Sequence, residues 1–172
     1  ISLQGIGNTA ILLPAVMALS RRADCKIDIV VSNNGSEQLL LNNPHVGRVY
    51  LWDERKTSLQ NLIALGEQLR QVLYDVAYAA YPSWSRENAI ILLSRAKKKI
   101  GFKCGTRDII DGLLSMLNGF SIARQENRHD LINNLKLLGL NQEDLGLPSS
   151  CFFFSSDEKK QGDILLTKAS IN

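Results

Sequence analysis

The apolar positions of the sequence alternate between two periods along the chain. Short β-branched or apolar runs predict buried strands, and longer segments with an apolar residue every three or four positions predict helices. The predicted strands are 1–3, 27–31, 48–52, 76–80, 98–102 and 151–154. The predicted helices are 9–22, 36–41, 58–73, 86–96, 109–117, 130–138 and 157–169. Strands that alternate with helices at this spacing indicate a Rossmann-like α/β domain, in which helices cover both faces of a parallel sheet.

The composition is that of one globular domain. The chain has 172 residues, of which 45% are hydrophobic and 22% are charged, and this balance excludes a disordered chain, a collagen-like fibre and a coiled-coil rod. No apolar run approaches the ~20 residues of a membrane-spanning helix. The longest apolar stretch, residues 10–19, contains Pro14 and lacks a preceding basic region, unlike a signal peptide. Because the first residue is Ile1 rather than Met, we expect the chain to begin inside a longer protein.

Positive charge is concentrated in one segment. The net charge is only +3, yet residues 95–107 contain six basic residues and no acidic one. Such a segment either attracts phosphate groups or an anionic surface, or forms a solvated strand edge whose lysines prevent aggregation. Both interpretations stay open, because residues 97–99 directly precede an apolar run. No nucleic-acid recognition motif accompanies the segment, so nucleic acid is not an expected partner.

Cysteine and histidine usage indicates neither a disulfide framework nor a metal site. Cys25, Cys104 and Cys151 are odd in number, widely spaced and without a C-x-x-C pair, which favours a reducing compartment. His45 has no carboxylate at an obvious ligand spacing, and neither His45 nor His129 suggests a metal site. His129 stands directly before a predicted helix, where we expect it to act as a cap.

The turn after the first predicted strand is a candidate ligand site. Its sequence GIGNTA (residues 5–10) fits the pattern G-x-G-x-x-G/A. Glycines allow close approach of a ligand, and the amides of the following helix favour an anion or a hydroxyl-rich group. A dinucleotide also needs an acidic residue at the end of the second strand, where this sequence has SNN (residues 32–34). A dinucleotide site, another polar ligand and a purely structural turn remain alternatives, and Asn8 suits the helix N-cap.

Several short motifs in succession resemble glycosyltransferase family 9, the heptosyltransferases of lipopolysaccharide synthesis. GIGN (residues 5–8) followed by LPA (13–15) resembles the opening of the family, and NPHV (43–46) resembles its second landmark. The third and fourth landmarks are similar to LR (69–70) with YDV (74–76), and to IGF (100–102). A later helix of the family resembles the segment that contains His129, Asn133, Leu135, Leu138 and Gly139. Order and spacing over essentially the whole chain carry the resemblance.

The resemblance implies a GT-B architecture, in which two Rossmann-like domains face each other across a cleft. Residues 1–155 would form the N-terminal, acceptor-binding domain, and residues 156–172 a helix leading to a missing donor-binding domain. The implied reaction is an inverting, metal-independent transfer of a sugar from a nucleotide-sugar to an acceptor hydroxyl. It needs no cofactor, and a fragment of this size would be inactive alone.

The resemblance also implies the site residues. In the family an Asp after the glycine turn is the candidate base, whereas this sequence has Asn8, whose neutral amide cannot accept a proton at pH 7. Asn8 therefore either orients the acceptor while another group takes the proton, or marks a divergent branch. The candidate acceptor-binding residues lie in the glycine turn and at the ends of later strands: Gly5, Ile6, Gly7, Thr9, Tyr81, Ser85 and Lys103.

The three residues at strand ends have separate expected roles. The carboxyl ends of parallel strands line the ligand crevice of such sheets. Tyr81 would stack on a sugar face, Ser85 would hydrogen-bond sugar hydroxyls, and Lys103 would bind a phosphate or carboxylate of the acceptor. The alternative for Tyr81 and Ser85 is local packing and helix capping.

The implied partners are a nucleotide-sugar and an anionic, lipid-linked acceptor such as a lipopolysaccharide core or O-antigen. We therefore expect a cytoplasmic protein with peripheral contact at the inner face of the cytoplasmic membrane. Two other classes stay open: an NAD(P)- or other nucleotide-binding Rossmann protein, and a non-catalytic carbohydrate-binding module. The oligomeric state is left open.

Overall fold

The computed structural model describes residues 1–80, 82–102, 109–119, 122–123, 128–146 and 151–168. The predicted helix 36–41 is a 3-10 helix, Ser36–Leu40, and a second 3-10 helix, Gln142–Leu145, was not predicted. In chain order the helices and strands are α1 (Ile6–Ala23), β1 (Ile27–Ser32), β2 (Val46–Trp52), α2 (Ser58–Leu69), β3 (Val76–Tyr78), α3 (Ser85–Leu93), β4 (Lys98–Ile100), α4 (Ile109–Leu117), α5 (Asp130–Leu137) and α6 (Ser156–Lys168).

One predicted strand is wrong. Residues 152–155 have no regular structure, and Cys151 before them lies in a bend. Phe152 and Phe154 are exposed, so this aromatic run does not supply a buried sheet face. An apolar run becomes a strand only where a sheet edge is free to pair with it, and local sequence does not encode that edge.

The opening segment, residues 1–3, joins two parallel strand pairs into one sheet. β1 pairs with β2, and β3 pairs with β4. On one side, Ser2 N donates to Val30 O at 2.9 Å. On the other side, Ile1 N donates to Tyr78 O at 2.7 Å and Ala80 N donates to Ile1 O at 2.9 Å, which is the hydrogen-bond pattern of a parallel pair. The strand order is therefore β2, β1, the opening segment, β3, β4.

Helices cover both faces of this sheet, as predicted. Neighbouring residues of a strand point to opposite faces. Val30 packs with Leu65 of α2 and Ile90 of α3 on one face, whereas Val31 packs with Leu13 of α1 on the other. Each face thus has its own apolar cluster, and the sheet forms the middle layer of a three-layer fold.

Helix α5 packs outside α1 and confirms the predicted cap. His129 Nδ1 accepts a hydrogen bond from Leu131 N at 3.2 Å, and Gly139, with φ of 68°, follows the end of the helix. Glycine tolerates this left-handed conformation better than other residues. Across the described ranges, no helix combines the length and the apolar character that a membrane crossing requires.

Candidate functional site

The candidate site lies at the carboxyl edge of the sheet, where the strand order reverses. The chain first adds β1 and β2 on one side of the opening segment, and then β3 and β4 on the other side. A crevice at such a reversal is the usual ligand site of a parallel α/β sheet. The turn at residues 5–8 follows the opening segment, and Ser85 follows β3, so both lie at this edge. Tyr81 and Lys103 lie outside the described residues.

Helix α1 begins earlier than the sequence predicts, which changes the role of Asn8. The N-cap residue is Gly5, and no side chain caps the helix. Asn8 lies inside the first turn, where its backbone N–H donates to Gly5 O at 3.1 Å, so the predicted capping role is wrong. The backbone N–H groups of Ile6 and Gly7 precede the first intrahelical bond, and they carry the positive end of the helix dipole at the crevice.

The two glycines leave open space at this turn. Both are exposed, neither has a positive φ, and a Cβ built on Gly5 or Gly7 meets nothing within 4 Å. Neither a left-handed backbone nor close packing within the described residues requires glycine there. Glycine inside a helix costs about 0.5–1 kcal/mol relative to alanine, so a purely structural turn does not explain Gly7.

The other side chains of the turn differ in exposure. Ile6 is exposed, and its Cδ1 approaches Gly35 in the loop after β1. Thr9 is buried, and its Oγ1 has no hydrogen-bond partner in the described part of the chain, so Thr9 lies behind the turn. Asn8 is half-buried, and its side chain makes no capping hydrogen bond to α1. Its amide is therefore the polar side chain that this turn offers to a ligand.

A buried carboxylate connects the glycine turn to the α3 side of the crevice. Glu87 is fully buried. Its Oε1 accepts from Gln4 Nε2 at 2.7 Å, and its Oε2 accepts from Trp84 N at 3.0 Å. Gln4 precedes Gly5, and Trp84 precedes Ser85 at the start of α3. These two hydrogen bonds set the spacing between the two sides, and Glu87 is accordingly a positioning residue.

The predicted contact Ser85 lies on this second side of the crevice. It is half-buried as the first residue of α3, and the N-cap position belongs to Trp84. The Trp84 side chain is 57% exposed, so it is not part of the core. An exposed indole next to a helix start is a surface on which a sugar ring can stack.

A second carboxylate joins the ends of β1 and β2 to α3. Ser32 Oγ lies 2.9 Å from Leu3 O and 2.8 Å from Glu54 Oε1. Because the hydroxyl has a single proton, it donates to only one of these two oxygens at a time. Glu54 Oε2 lies 4.0 Å from Arg86 Nη1. The Arg86 guanidinium lies over the Trp52 ring, 5.6 Å from its centroid, which is within cation–π range.

The two carboxylates after β2, Asp53 and Glu54, differ in whether they can act as a general base. Asp53 accepts from Arg55 Nε at 2.9 Å and from Asn33 Nδ2 at 3.1 Å, and the bonds from Arg55 lower the pKa of Asp53 to about 2. A carboxylate with so low a pKa holds a proton too weakly for general base catalysis at neutral pH. The side chain of Glu54 is 47% exposed, and a substrate can reach it.

The basic segment lies partly at the opposite edge. Lys97 Nζ lies 2.7 Å from Asp75 Oδ1, and both side chains are exposed. Because Lys97 precedes β4, it lies at the amino ends of the strands, away from the crevice. Within the ranges that the structure describes, no three His, Cys, Asp or Glu side chains are grouped closely enough to hold a metal ion.

Sequence reasoning missed Gln4, Glu54 and Glu87 as residues of this site. Gln4 follows the opening segment and Glu54 is the second residue after β2, so the rule that selected Ser85 also applies to them. Glu87 is the third residue of α3, a position where an acidic side chain is typical of a capping motif. Its bond to Gln4, 83 positions away in the chain, has no signal in local sequence.

Comparison with known proteins places this fold among glycosyltransferases. No protein-family model and no curated protein matches the sequence. Matching solved structures include a glycosyl transferase family 9 protein from Veillonella parvula DSM 2008, with a TM-score of 0.71 over 99% of this chain and 15% identity. This chain has the fold of that family 9 protein. The heptosyltransferase WaaC of E. coli, solved with ADP, gives a TM-score of 0.64 over 92% of the chain and 19% identity.

The chain spans about half the length of these two structures. It covers 49% of the Veillonella parvula protein and 50% of the E. coli heptosyltransferase. The predicted fold class, a Rossmann-like parallel sheet with helices on both faces, is confirmed, and it is the fold of about half of each of these two structures. The resemblance to family 9 is confirmed at the level of the fold.

Proposed function

We propose that this chain forms the acceptor-binding half of a glycosyltransferase. The enzyme would transfer a sugar, with inversion, from a nucleotide-sugar to a lipopolysaccharide or related glycan acceptor. Residues 1–155 would hold the acceptor, and residues 156–172 would lead to a second domain that binds the donor. The observation that carries this proposal is the open glycine turn, Gly7 above all, at the point where the strand order reverses. The fold shared with two glycosyltransferases supports it.

The acceptor hydroxyl lies over the turn in this proposal. The free N–H groups at the start of α1 and the amide of Asn8 orient it, and the missing Cβ of Gly7 lets it approach the backbone. Ser85 holds the adjoining sugar from the α3 side, and Tyr81 stacks on the face of that sugar. Lys103 meets a phosphate or carboxylate of the acceptor. Such an anionic, lipid-linked acceptor would place the enzyme at the inner face of the cytoplasmic membrane.

The reaction requires a proton acceptor that Asn8 cannot be. The acceptor oxygen attacks the anomeric carbon and forms a new bond, while the bond from that carbon to the donor phosphate breaks and its electron pair leaves with the nucleoside diphosphate. The hydroxyl proton passes to a general base. We assign that role to Glu54, because its Oε1 lies 2.8 Å from Ser32 Oγ at the carboxyl end of β1, the strand beside the opening segment, and because its side chain is 47% exposed.

The test uses the full-length protein and a panel of ADP-, UDP- and GDP-sugars, with heptose-deficient lipopolysaccharide as the acceptor. Release of nucleoside diphosphate that requires the lipopolysaccharide supports the proposal. Lys103→Ala should raise the acceptor KM, whereas the matched control Lys97→Ala should not, because Lys97 pairs with Asp75 at the opposite edge. No release from any donor, together with sub-millimolar binding of NADH, would overturn the proposal in favour of a nucleotide-binding protein.

Asn8 is tested separately from Glu54. Because Asn8 is not the N-cap, Asn8→Ala should change the melting temperature little while it lowers the transfer rate strongly. Asn8→Asp restores the carboxylate of the family pattern, and an acidic residue in the first turn of a helix also adds about 0.3–1 kcal/mol of stability. Unchanged turnover in Asn8→Ala, with only a lower melting temperature, refutes a role for Asn8 in the reaction.

A further inference from the structure

The side chain of Arg86 is held at the crevice by its contact with Trp52. Arg86 is the second residue of α3, and its guanidinium lies over the Trp52 ring, 5.6 Å from the ring centroid. Trp52 is 2% exposed, so its ring is a fixed surface at the end of β2. A guanidinium that stacks on a fixed ring has a restricted orientation, and its N–H groups are aimed before any ligand arrives.

The carboxylate of Glu54 is fixed opposite this guanidinium. Its Oε1 lies 2.8 Å from Ser32 Oγ, and the backbone N–H of Glu54 donates to Asn33 Oδ1 at 3.0 Å. Its other oxygen, Oε2, lies 4.0 Å from Arg86 Nη1. The side chains of Arg86 and Glu54 are 38% and 47% exposed, and an ion pair with this exposure contributes little to stability. The stability of the fold therefore does not account for the pair.

The distance between Arg86 Nη1 and Glu54 Oε2 is too long for a direct hydrogen bond and leaves room for a bridging hydroxyl. The two atoms are 4.0 Å apart, whereas N–H···O hydrogen bonds are about 2.7–3.2 Å long. Across the described ranges, the Arg86 guanidinium donates no hydrogen bond. A hydroxyl oxygen about 2.8 Å from each atom fits between them, because 4.0 Å is less than twice that length. Such a hydroxyl would accept from Nη1 and donate to Oε2.

The charges of the pair favour a neutral hydroxyl over an anion at this position, because the carboxylate of Glu54 repels a phosphate or a second carboxylate. We propose that Arg86 is a further catalytic residue, which donates to the acceptor hydroxyl that Glu54 deprotonates. This inference rests on the proposed transferase function.

The pair has a defined part in the transfer step. The acceptor oxygen bonds to the anomeric carbon while its proton passes to Glu54 Oε2. The electron pair of the breaking bond leaves with the nucleoside diphosphate. Arg86 gains and loses no proton; its N–H group holds the attacking oxygen against the base.

The experiment is a double-mutant cycle on the full-length protein. Release of nucleoside diphosphate is measured at varied concentrations of heptose-deficient lipopolysaccharide, with the nucleotide-sugar that supports release. Arg86→Met removes the N–H donors and keeps an apolar side chain over Trp52, whereas Arg86→Lys keeps a charged donor. Glu54→Gln and the Arg86→Met, Glu54→Gln double variant complete the cycle. The matched control is Arg70→Met, at an exposed arginine that forms the C-cap of α2.

We expect Arg86→Met to lower kcat about ten- to 150-fold, the effect of losing a hydrogen bond from a charged group, with a smaller change in acceptor KM. Arg86→Lys should retain more activity than Arg86→Met, and the control should be as active as the unmodified protein. Because both groups act on one hydroxyl, the double variant should be little slower than the slower single variant.

Three results would overturn this role of Arg86 and leave the transferase proposal standing. They are an unchanged kcat in Arg86→Met, a higher acceptor KM at unchanged kcat, and losses that multiply in the double variant. If the unmodified protein releases no nucleoside diphosphate in response to the lipopolysaccharide, both proposals are wrong.

Discussion

Gly7→Ala tests whether glycine at position 7 is required for folding or for acceptor binding. Position 7 lies in the first turn of α1, and a Cβ there meets no atom within 4 Å. The added methyl group is therefore compatible with the folded chain, and it projects into the space that the acceptor is proposed to occupy. We expect the variant to be at least as stable as the unmodified protein and less active.

The two effects have opposite signs and can be estimated separately. Replacing a helical glycine by alanine stabilises by about 0.5–1 kcal/mol, which in a domain of this size raises the melting temperature by about 1–4 °C. A methyl group forced into a closely packed contact costs about 1–3 kcal/mol, so the acceptor KM should rise roughly five- to 150-fold. The donor KM should not change, because the donor binds elsewhere in the proposed enzyme.

Gly162→Ala is the matched control. Gly162 lies inside α6, and a Cβ built on it also meets nothing within 4 Å, so the stability gain should be similar. Thermal unfolding and initial rates at varied acceptor concentration are measured for both variants. If Gly7→Ala and Gly162→Ala have the same acceptor KM, the space at position 7 is not the acceptor site, and the main support for the proposed function is lost.

Glu87→Gln removes one of the two oxygens that hold Gln4 and the start of α3, so denaturant unfolding should show a loss of about 1–3 kcal/mol; unchanged stability contradicts the positioning role. Glu54→Gln should lower kcat at near-normal acceptor KM, because the amide cannot accept the hydroxyl proton, and an unaltered kcat contradicts the assignment. Burial raises the pKa of Tyr74, which also donates to Asp28 Oδ2 at 2.7 Å. The unfolded tyrosine ionises near pH ~10 while the folded one stays protonated, so stability falls above that pH. Thermal melts should show a weaker fall in Tyr74→Phe.

Periodicity predicted the fold class because the core alternates along each strand and helix. Within IDIVV (residues 27–31), Val30 and Val31 enter opposite apolar clusters, which only a sheet covered on both faces produces. The glycine turn was also predicted at its observed place, since strand ends in such a sheet meet at one edge. The local pattern of apolar residues and glycines is sufficient to predict the fold class and the position of this turn.

Features that depend on distant neighbours were not predictable in the same way. The buried side of α4 contains Ser115 and depends on what α3 presents to it, whereas the sequence predicted only that residues 109–117 form a helix. The start of α1 at Ile6 depends on how the opening segment leaves the sheet, so Asn8 was assigned to the cap in error. Glu87 meets Gln4 only after β3 has been placed beside the opening segment.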